Sequence, residues 1–317
     1  MICLARAARN KLTLKSSVEE LRLFFSKIQV VKKTSSREEC PLQEDKSSLY
    51  FAGVEPRVAV VNKIDDEPFD EDFVYVKSLV LSDKVKLPND VGFFIPCACT
   101  SKCDGCHEGS ANYDSMGHIM VNRGVPVYEC NRVCPCGSLC GNRIVQNGRK
   151  IPLEIFKTRS KGWGLRSTIN IPKGTFVDEY VGEVIPQEDA EQRGKFYDMT
   201  GRTYLFDMDF HITDDNDETA QYTIDAYLMG NATCFINHSC DANLASYAVY
   251  SDSMDTSFHH IAFFTTRAIR AYEELCFDYE GLPGVKEVGK YAQKLTYEEG
   301  SFECKCNSIQ CRKYIRM

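Results

Sequence analysis

Nowhere does this sequence run through about twenty consecutive apolar residues, which excludes a conventional membrane-spanning helix. Its opening, Met1-Ile2-Cys3-Leu4-Ala5, lacks the apolar core of a secretory leader and soon turns basic, so no leader is expected. Tryptophan occurs once, at Trp163, and no internal repeat is visible beyond the spacing of cysteines. Apolar residues at 43% and charged residues at 26% exclude a wholly disordered chain.

What the sequence does hold is cysteine, 16 in 317 residues. Outside a secretory context such a number points to metal rather than disulfides. Charge is divided unevenly. Residues 1–37 carry nine Lys/Arg against two acids, Glu19 and Glu20, while the remainder carries 29 against 43. An acidic body serves solubility, binds DNA phosphates poorly and accepts a basic peptide well.

Composition divides the chain into five stretches. Residues 1–95 open with an amphipathic helix from Ser17, where Ser17 and Glu20 have capping-box spacing and Val18, Leu21, Phe24, Phe25, Ile28 and Val31 recur at helical intervals. A polar stretch around Lys32 to Ser48 reads as a linker, and Val58–Val61 and Phe73–Val76 read as strands. Residues 96–145 hold eight cysteines and no periodic apolar pattern, so they need metal or cross-links. Residues 146–280 return to short β-type runs broken by Gly, Pro and Asp, with one helix after Pro186. Residues 281–303 read as a mobile connector, and 304–317 carry three further cysteines. The fold class is mostly β with short helices.

The first cysteine cluster comprises Cys97, Cys99, Cys103, Cys106, Cys130, Cys134, Cys136 and Cys140. Dense C-x-C pairs are too constrained for ordinary disulfides, and thiolates on a loop converge readily on zinc. Eight thiolates make two separate four-thiolate sites, or a shared cluster in which some sulfurs bridge ions. A three-zinc cluster needs nine ligands, and His107 is the nearest candidate for the ninth, unless it is a surface histidine. The second cluster, Cys304, Cys306 and Cys311, lacks a fourth ligand nearby. Cys240, Cys234, Cys276, Cys40 and Cys3 are all candidates, and spacing does not choose among them.

Five ordered motifs then narrow the reading: Lys161-Gly162-Trp163-Gly164, Tyr180-Val181-Gly182-Glu183, Tyr204-Leu205-Phe206-Asp207, Asn237-His238-Ser239-Cys240 and Phe277-Asp278-Tyr279. Together with the two cysteine clusters they resemble the SET-domain protein lysine methyltransferases over roughly residues 57–317. The nearest likeness is to the heterochromatin, suppressor-of-variegation branch, which methylates lysine 9 of histone H3. The resemblance implies a β-rich SET fold with a pseudoknot, flanked by a pre-SET zinc cluster and a post-SET zinc site. It implies S-adenosylmethionine and the peptide entering from opposite faces, and Cys240 as the fourth post-SET ligand, for four zinc ions in all. Cys3, Cys40, Cys234 and Cys276 are then free thiols. It further implies a nuclear, chromatin-associated enzyme acting in heterochromatin formation and gene silencing, whose partners are the H3 tail, the nucleosome and heterochromatin proteins. No membrane and no sequence-specific DNA contact are expected.

The chemistry asks for little beyond alignment and a dry channel, because a lysine amine attacking a methyl sulfonium is an in-line displacement. With a free pKa of ~10.4 the amine must lose a proton first, which a nearby sulfonium and apolar walls favour. The resemblance places Tyr279 and Tyr180 at the two lysine-facing hydroxyls and Phe277 at a position governing how many methyl groups are added. It places Asn237, His238, Lys161, Gly162, Trp163 and Tyr204 around the donor. Two departures stand out, Cys234 where relatives often carry arginine or histidine, and Cys276 where threonine is common. Asp209 is a candidate to receive an arginine beside the target lysine, or plain surface. Read otherwise, the chain is an inactive zinc-supported module that binds histone tails.

Overall fold

The computed structural model describes residues 41–44, 49–70, 72–86, 94–99, 103, 111–200, 204–210, 220–253, 255–280 and 302–315. The amphipathic helix expected from Ser17, Cys106 and His107, and nearly all of the 281–303 connector lie outside them. Everything described belongs to the compact unit Cys40–Met317.

Short strands dominate, as the β-type runs lead one to expect. Val58–Val61 alternates in burial, with Val58 and Val60 inside, the pattern of a strand with one face on a core. It sits in a seven-stranded sheet whose order is Leu42–Glu44, Leu49–Phe51, Val58–Val61, Leu153–Lys157, Trp163–Ser167, Glu274–Phe277 and Asn237–His238. The stretch read as a linker thus contributes an edge strand. Leu42 packs against the main core, and Tyr50 donates its hydroxyl to Gln43 at 3.1 Å.

Two four-stranded sheets and two small two-stranded ones, Val74–Tyr75 with Met229–Gly230 and Phe302–Glu303 with Tyr314–Ile315, accompany it. One four-stranded sheet joins Val127–Tyr128, Leu244–Tyr250, His260–Thr265 and Phe176–Tyr180, and the other Leu205–Asp207, Tyr222–Asp225, Glu183–Pro186 and Val80–Leu81. The helix after Pro186 is Gln187–Thr200, with Glu188 and Asp189 in its first turn, where the helix dipole favours acids. At Gly182 a Cβ would strike the Asp225 carbonyl, so only glycine lets these backbones meet.

The cysteine-rich region does not stand alone. Tyr113, Val127 and Val145 bury themselves with Phe176, Tyr247 and Phe264 of the β-body, so the segment borrows a core it cannot build. Weaving is tightest where Asn237–His238 runs parallel to Glu274–Phe277, pairing Asn237 with Cys276 and His238 with Phe277. Asn243 locks this crossing, its side chain donating to the Glu274 carbonyl at 2.8 Å and accepting from the Cys276 amide at 2.8 Å. This is the pseudoknot that the motif order implied. Among the described residues no helix is long and apolar enough to cross a membrane.

Candidate active site

The crossing brings the five motifs together around two clefts. A cleft of about 520 Å³ is lined by all six residues assigned to the donor, Lys161, Gly162, Trp163, Tyr204, Asn237 and His238, with Phe302 and Ile315 from the C-terminal segment. A second cleft of about 410 Å³ is lined by Tyr180, Phe206, Asp207, Asp209, Ile236 and Phe277, among others. Tyr204, Cys234 and Tyr279 line both, so they form the wall between the clefts.

Both phenol groups are pinned. The Tyr279 hydroxyl donates to the Ile236 carbonyl at 2.7 Å, and the Tyr180 hydroxyl to the Tyr204 carbonyl at 2.7 Å. Burial holds each well above the ordinary tyrosine range, so both stay neutral. With their protons committed to carbonyls, the oxygens offer lone pairs to whatever enters. Phe277 lies beside them, its ring 4.7 Å from Tyr279, stacked on Phe206 at 5.8 Å and tilted against Phe263 at 4.9 Å.

On the donor side, Gly162 adopts φ 76° in the turn leading into Trp163–Ser167, a conformation glycine takes without strain. Asn237 donates to the Trp163 carbonyl at 3.1 Å and to Glu274 at 2.9 Å, and Lys161 reaches the other Glu274 oxygen at 2.7 Å. Glu274 therefore organises two donor-cleft residues, although sequence reasoning passed over it. Its only signal was an acid three residues before Phe277 on the same strand. Cys234 turns its thiol to the Asn231 carbonyl at 3.1 Å, and burial raises it well above the usual thiol range.

His238 joins this site to a metal centre. Its Nδ1 accepts from the Tyr279 amide at 3.2 Å, so Nε2 carries the proton and faces the Cys240 sulfur at 3.3 Å. Burial pushes the imidazole down to about 4 against the opposing pull of Asp278, which keeps it neutral.

The cysteines converge as zinc chemistry requires. Zn–S bonds near 2.3 Å in a tetrahedron place sulfurs about 3.8 Å apart. The Cys240 and Cys304 sulfurs are 3.7 Å apart, and those of Cys240, Cys304, Cys306 and Cys311 all fall within 4.8 Å of one another. Of the five candidates for the missing ligand, Cys3 and Cys40 lie outside the described residues, and among Cys234, Cys240 and Cys276 it is Cys240 that joins the group. In the other cluster Cys97, Cys103, Cys130 and Cys136 meet the same limit, and Cys99, Cys134 and Cys140 pack with them, with Cys140 and Cys130 sulfurs 3.8 Å apart. None of the described cysteines is in a disulfide. Burial opposes ionisation of Cys306, but hydrogen bonds with Ser308, Cys240 and Cys304 together outweigh it and leave the thiol at about 6. Such a donor set suits a structural ion that supplies cross-links in place of a core.

Comparison with known proteins agrees with this geometry. The SET domain family matches residues 162–280 and the Pre-SET motif family residues 52–143. The solved structure of the Neurospora SET-domain protein DIM-5, a histone lysine methyltransferase, is 31% identical, with TM-score 0.63, covering 74% of this chain and 98% of that one. The chain belongs to the SET-domain lysine methyltransferase family. Among curated members, histone-lysine N-methyltransferase Su(var)3-9 of Drosophila melanogaster is 38% identical over 276 residues, 82% of this chain and 41% of that protein. The H3 lysine-9 specific histone-lysine N-methyltransferase of Schizosaccharomyces pombe is 38% identical over 277 residues, 82% of this chain and 55% of that protein. This SET-domain chain thus spans about half the length of these curated relatives.

Proposed function

We propose that this chain transfers methyl groups from S-adenosylmethionine to lysine 9 of histone H3, with dimethyl and trimethyl-lysine as products. The observation that carries the reading is the wall of Tyr204, Cys234 and Tyr279, which two clefts share from opposite sides. A donor in one cleft and a lysine in the other meet there in line. S-adenosylmethionine supplies an electrophilic methyl group on a sulfonium.

The protein's residues supply the rest. Lys161, Asn237 and His238 hold the donor, with Gly162, Trp163 and Tyr204 closing its cleft. Phe206 and Phe277 keep the channel apolar, which disfavours an ammonium and lets the lysine shed its proton to water. Tyr279 and Tyr180 aim the neutral amine through their oxygen lone pairs and attract the side chain with their rings. Glu191, Asp207 and Asp209 line the peptide cleft and suit a tail rich in lysine and arginine. Zinc held by Cys240, Cys304, Cys306 and Cys311 fixes the C-terminal lid of the donor cleft. Three further ions in the first cluster, with Cys106 and His107 completing it, make four.

The curated relatives' names, histone-lysine N-methyltransferase and H3 lysine-9 specific, support a histone tail as substrate, and a histone substrate would place the chain on chromatin in the nucleus, where we place its role in heterochromatin. The test is mass spectrometry of an H3 tail peptide incubated with S-adenosylmethionine and the zinc-loaded protein. Methylation confined to lysine 9 is expected. Tight peptide binding with no change of mass would instead make the chain an inactive tail-binding module.

A further inference from the structure

Beside the donor cleft lies a third concavity of about 410 Å³ whose charge opposes that of the body. Six of its lining residues are cationic, Lys63, Lys157, Arg159, Lys161, Arg166 and Lys305, against one acid, Glu274. Three of the six are spoken for. Lys157 meets Glu67 at 2.5 Å, Lys161 meets Glu274 at 2.7 Å, and Arg166 is held by Glu154. Lys63, Arg159 and Lys305 are exposed and have no acidic partner among the described residues. They come from three separate segments: the loop after Val58–Val61, the turn before Trp163–Ser167, and the C-terminal zinc segment. The methyl-transfer chemistry uses none of their charges. Outside residues 1–37 the chain has 29 basic and 43 acidic residues, so a concave basic site of this kind runs against its background.

We propose that this cleft docks the phosphate backbone of duplex DNA, without regard to base sequence, and so seats the enzyme on nucleosomal DNA while the tail enters the opposite cleft. A B-form duplex presents one phosphate charge per about 1.7 Å of axis, dense enough for three free cations spread around a groove to engage together. Contacts to backbone phosphates carry no base identity, which makes the contact one of position and not of sequence. Ser160, Lys161 and Lys305 line both this cleft and the donor cleft, so a docked backbone borders the methyl donor. The identity of the polyanion as nucleosomal DNA rests on the proposed histone substrate.

The test uses the full zinc-loaded chain, a fluorescent duplex and anisotropy across a range of salt. Lys63→Glu with Arg159→Glu is compared with Lys86→Glu and Arg270→Glu, which change net charge equally on exposed residues elsewhere. The cleft variant is expected to lose about tenfold more affinity than the control, and to flatten the slope of log K against log salt by about two. Two unrelated duplexes should bind alike. Methylation of a free H3 peptide should stay within about twofold of the parent, while methylation of nucleosomes falls with the DNA affinity. Equal losses in both variants would overturn the inference and leave DNA to the basic residues 1–37. Capture of polyglutamate in place of the duplex would overturn it too. A chain that binds DNA through the cleft yet never methylates the peptide would uphold the cleft and sink the proposed activity instead.

Discussion

Arg312 grips both carboxylate oxygens of Asp278, Nη1 to Oδ2 at 2.9 Å and Nη2 to Oδ1 at 2.5 Å. The two side chains are almost wholly buried, at 10% and 9% exposure, so neither charge has water to fall back on. Asp278 stands between Phe277 and Tyr279, and Arg312 follows Cys311 of the four-cysteine group. The Arg312 amide also donates to the Cys240 sulfur at 3.4 Å. The C-terminal cysteine segment and the strand that ends at Phe277 are therefore held as one piece.

Chelation should consequently abolish methyl transfer, because the Cys304–Ile315 segment has little core besides its metal and releases Asp278 when it unravels. Metal analysis of the intact protein should give about four zinc ions per chain, each four-coordinate. Two or fewer in a fully folded sample, or full turnover after verified removal, would contradict this.

Tyr279→Phe removes one hydroxyl and leaves the ring. Turnover should fall nearly to background, while stability drops by only about 1 kcal/mol, the size of one hydrogen bond. The measurement pairs steady-state kinetics with a thermal melt, and wild-type turnover in the variant would remove Tyr279 from catalysis.

Phe277→Tyr should change the product and not the first step. A hydroxyl at this position would hold a water beside the amine and resist the larger methylated nitrogen. The parent enzyme should proceed to dimethyl and trimethyl-lysine, and the variant should stop mainly at monomethyl with a similar first rate. A parent enzyme stalled at monomethyl with donor in excess would refute the role of Phe277.

Glu274→Gln keeps the shape but weakens the charge-assisted bond to Lys161. The KM for S-adenosylmethionine should rise about tenfold, since such bonds are worth about 1.5–3 kcal/mol, with kcat changed far less. A fall confined to kcat would place Glu274 elsewhere in the reaction.

His260 supplies a pH signature. It lies between Glu179 at 2.5 Å and Asp252 at 2.8 Å, and although burial opposes its charge, the two carboxylates hold it protonated well above its ordinary range. A raised folded value means that the stabilisation is complete below the unfolded value of ~6.5 and is lost as pH rises through the folded value. His260→Gln should lower the melting temperature by about 5–10 °C at pH 6, with the gap narrowing toward alkaline pH. A gap that widens with pH would show that His260 is neutral in the folded protein.

Much of this molecule was legible before folding. Alternating Val58–Val61, the helix after Pro186 and the paired C-x-C thiols each depend on neighbours a few residues away, and short-range pattern records such preferences. The order of the five motifs was enough to name the family resemblance. Spacing left Cys240, Cys234 and Cys276 open and the family resemblance pointed to Cys240; the tertiary structure supplied the reason, because the pseudoknot brings its sulfur to 3.7 Å from that of Cys304. Tertiary structure alone decided which carbonyls pin Tyr279 and Tyr180, that Glu274 joins Lys161 to Asn237, and that Lys63, Arg159 and Lys305 share one cleft. These are contacts between residues far apart in sequence, created when strands pair and close a loop, and local propensity carries no trace of the partner a side chain will meet.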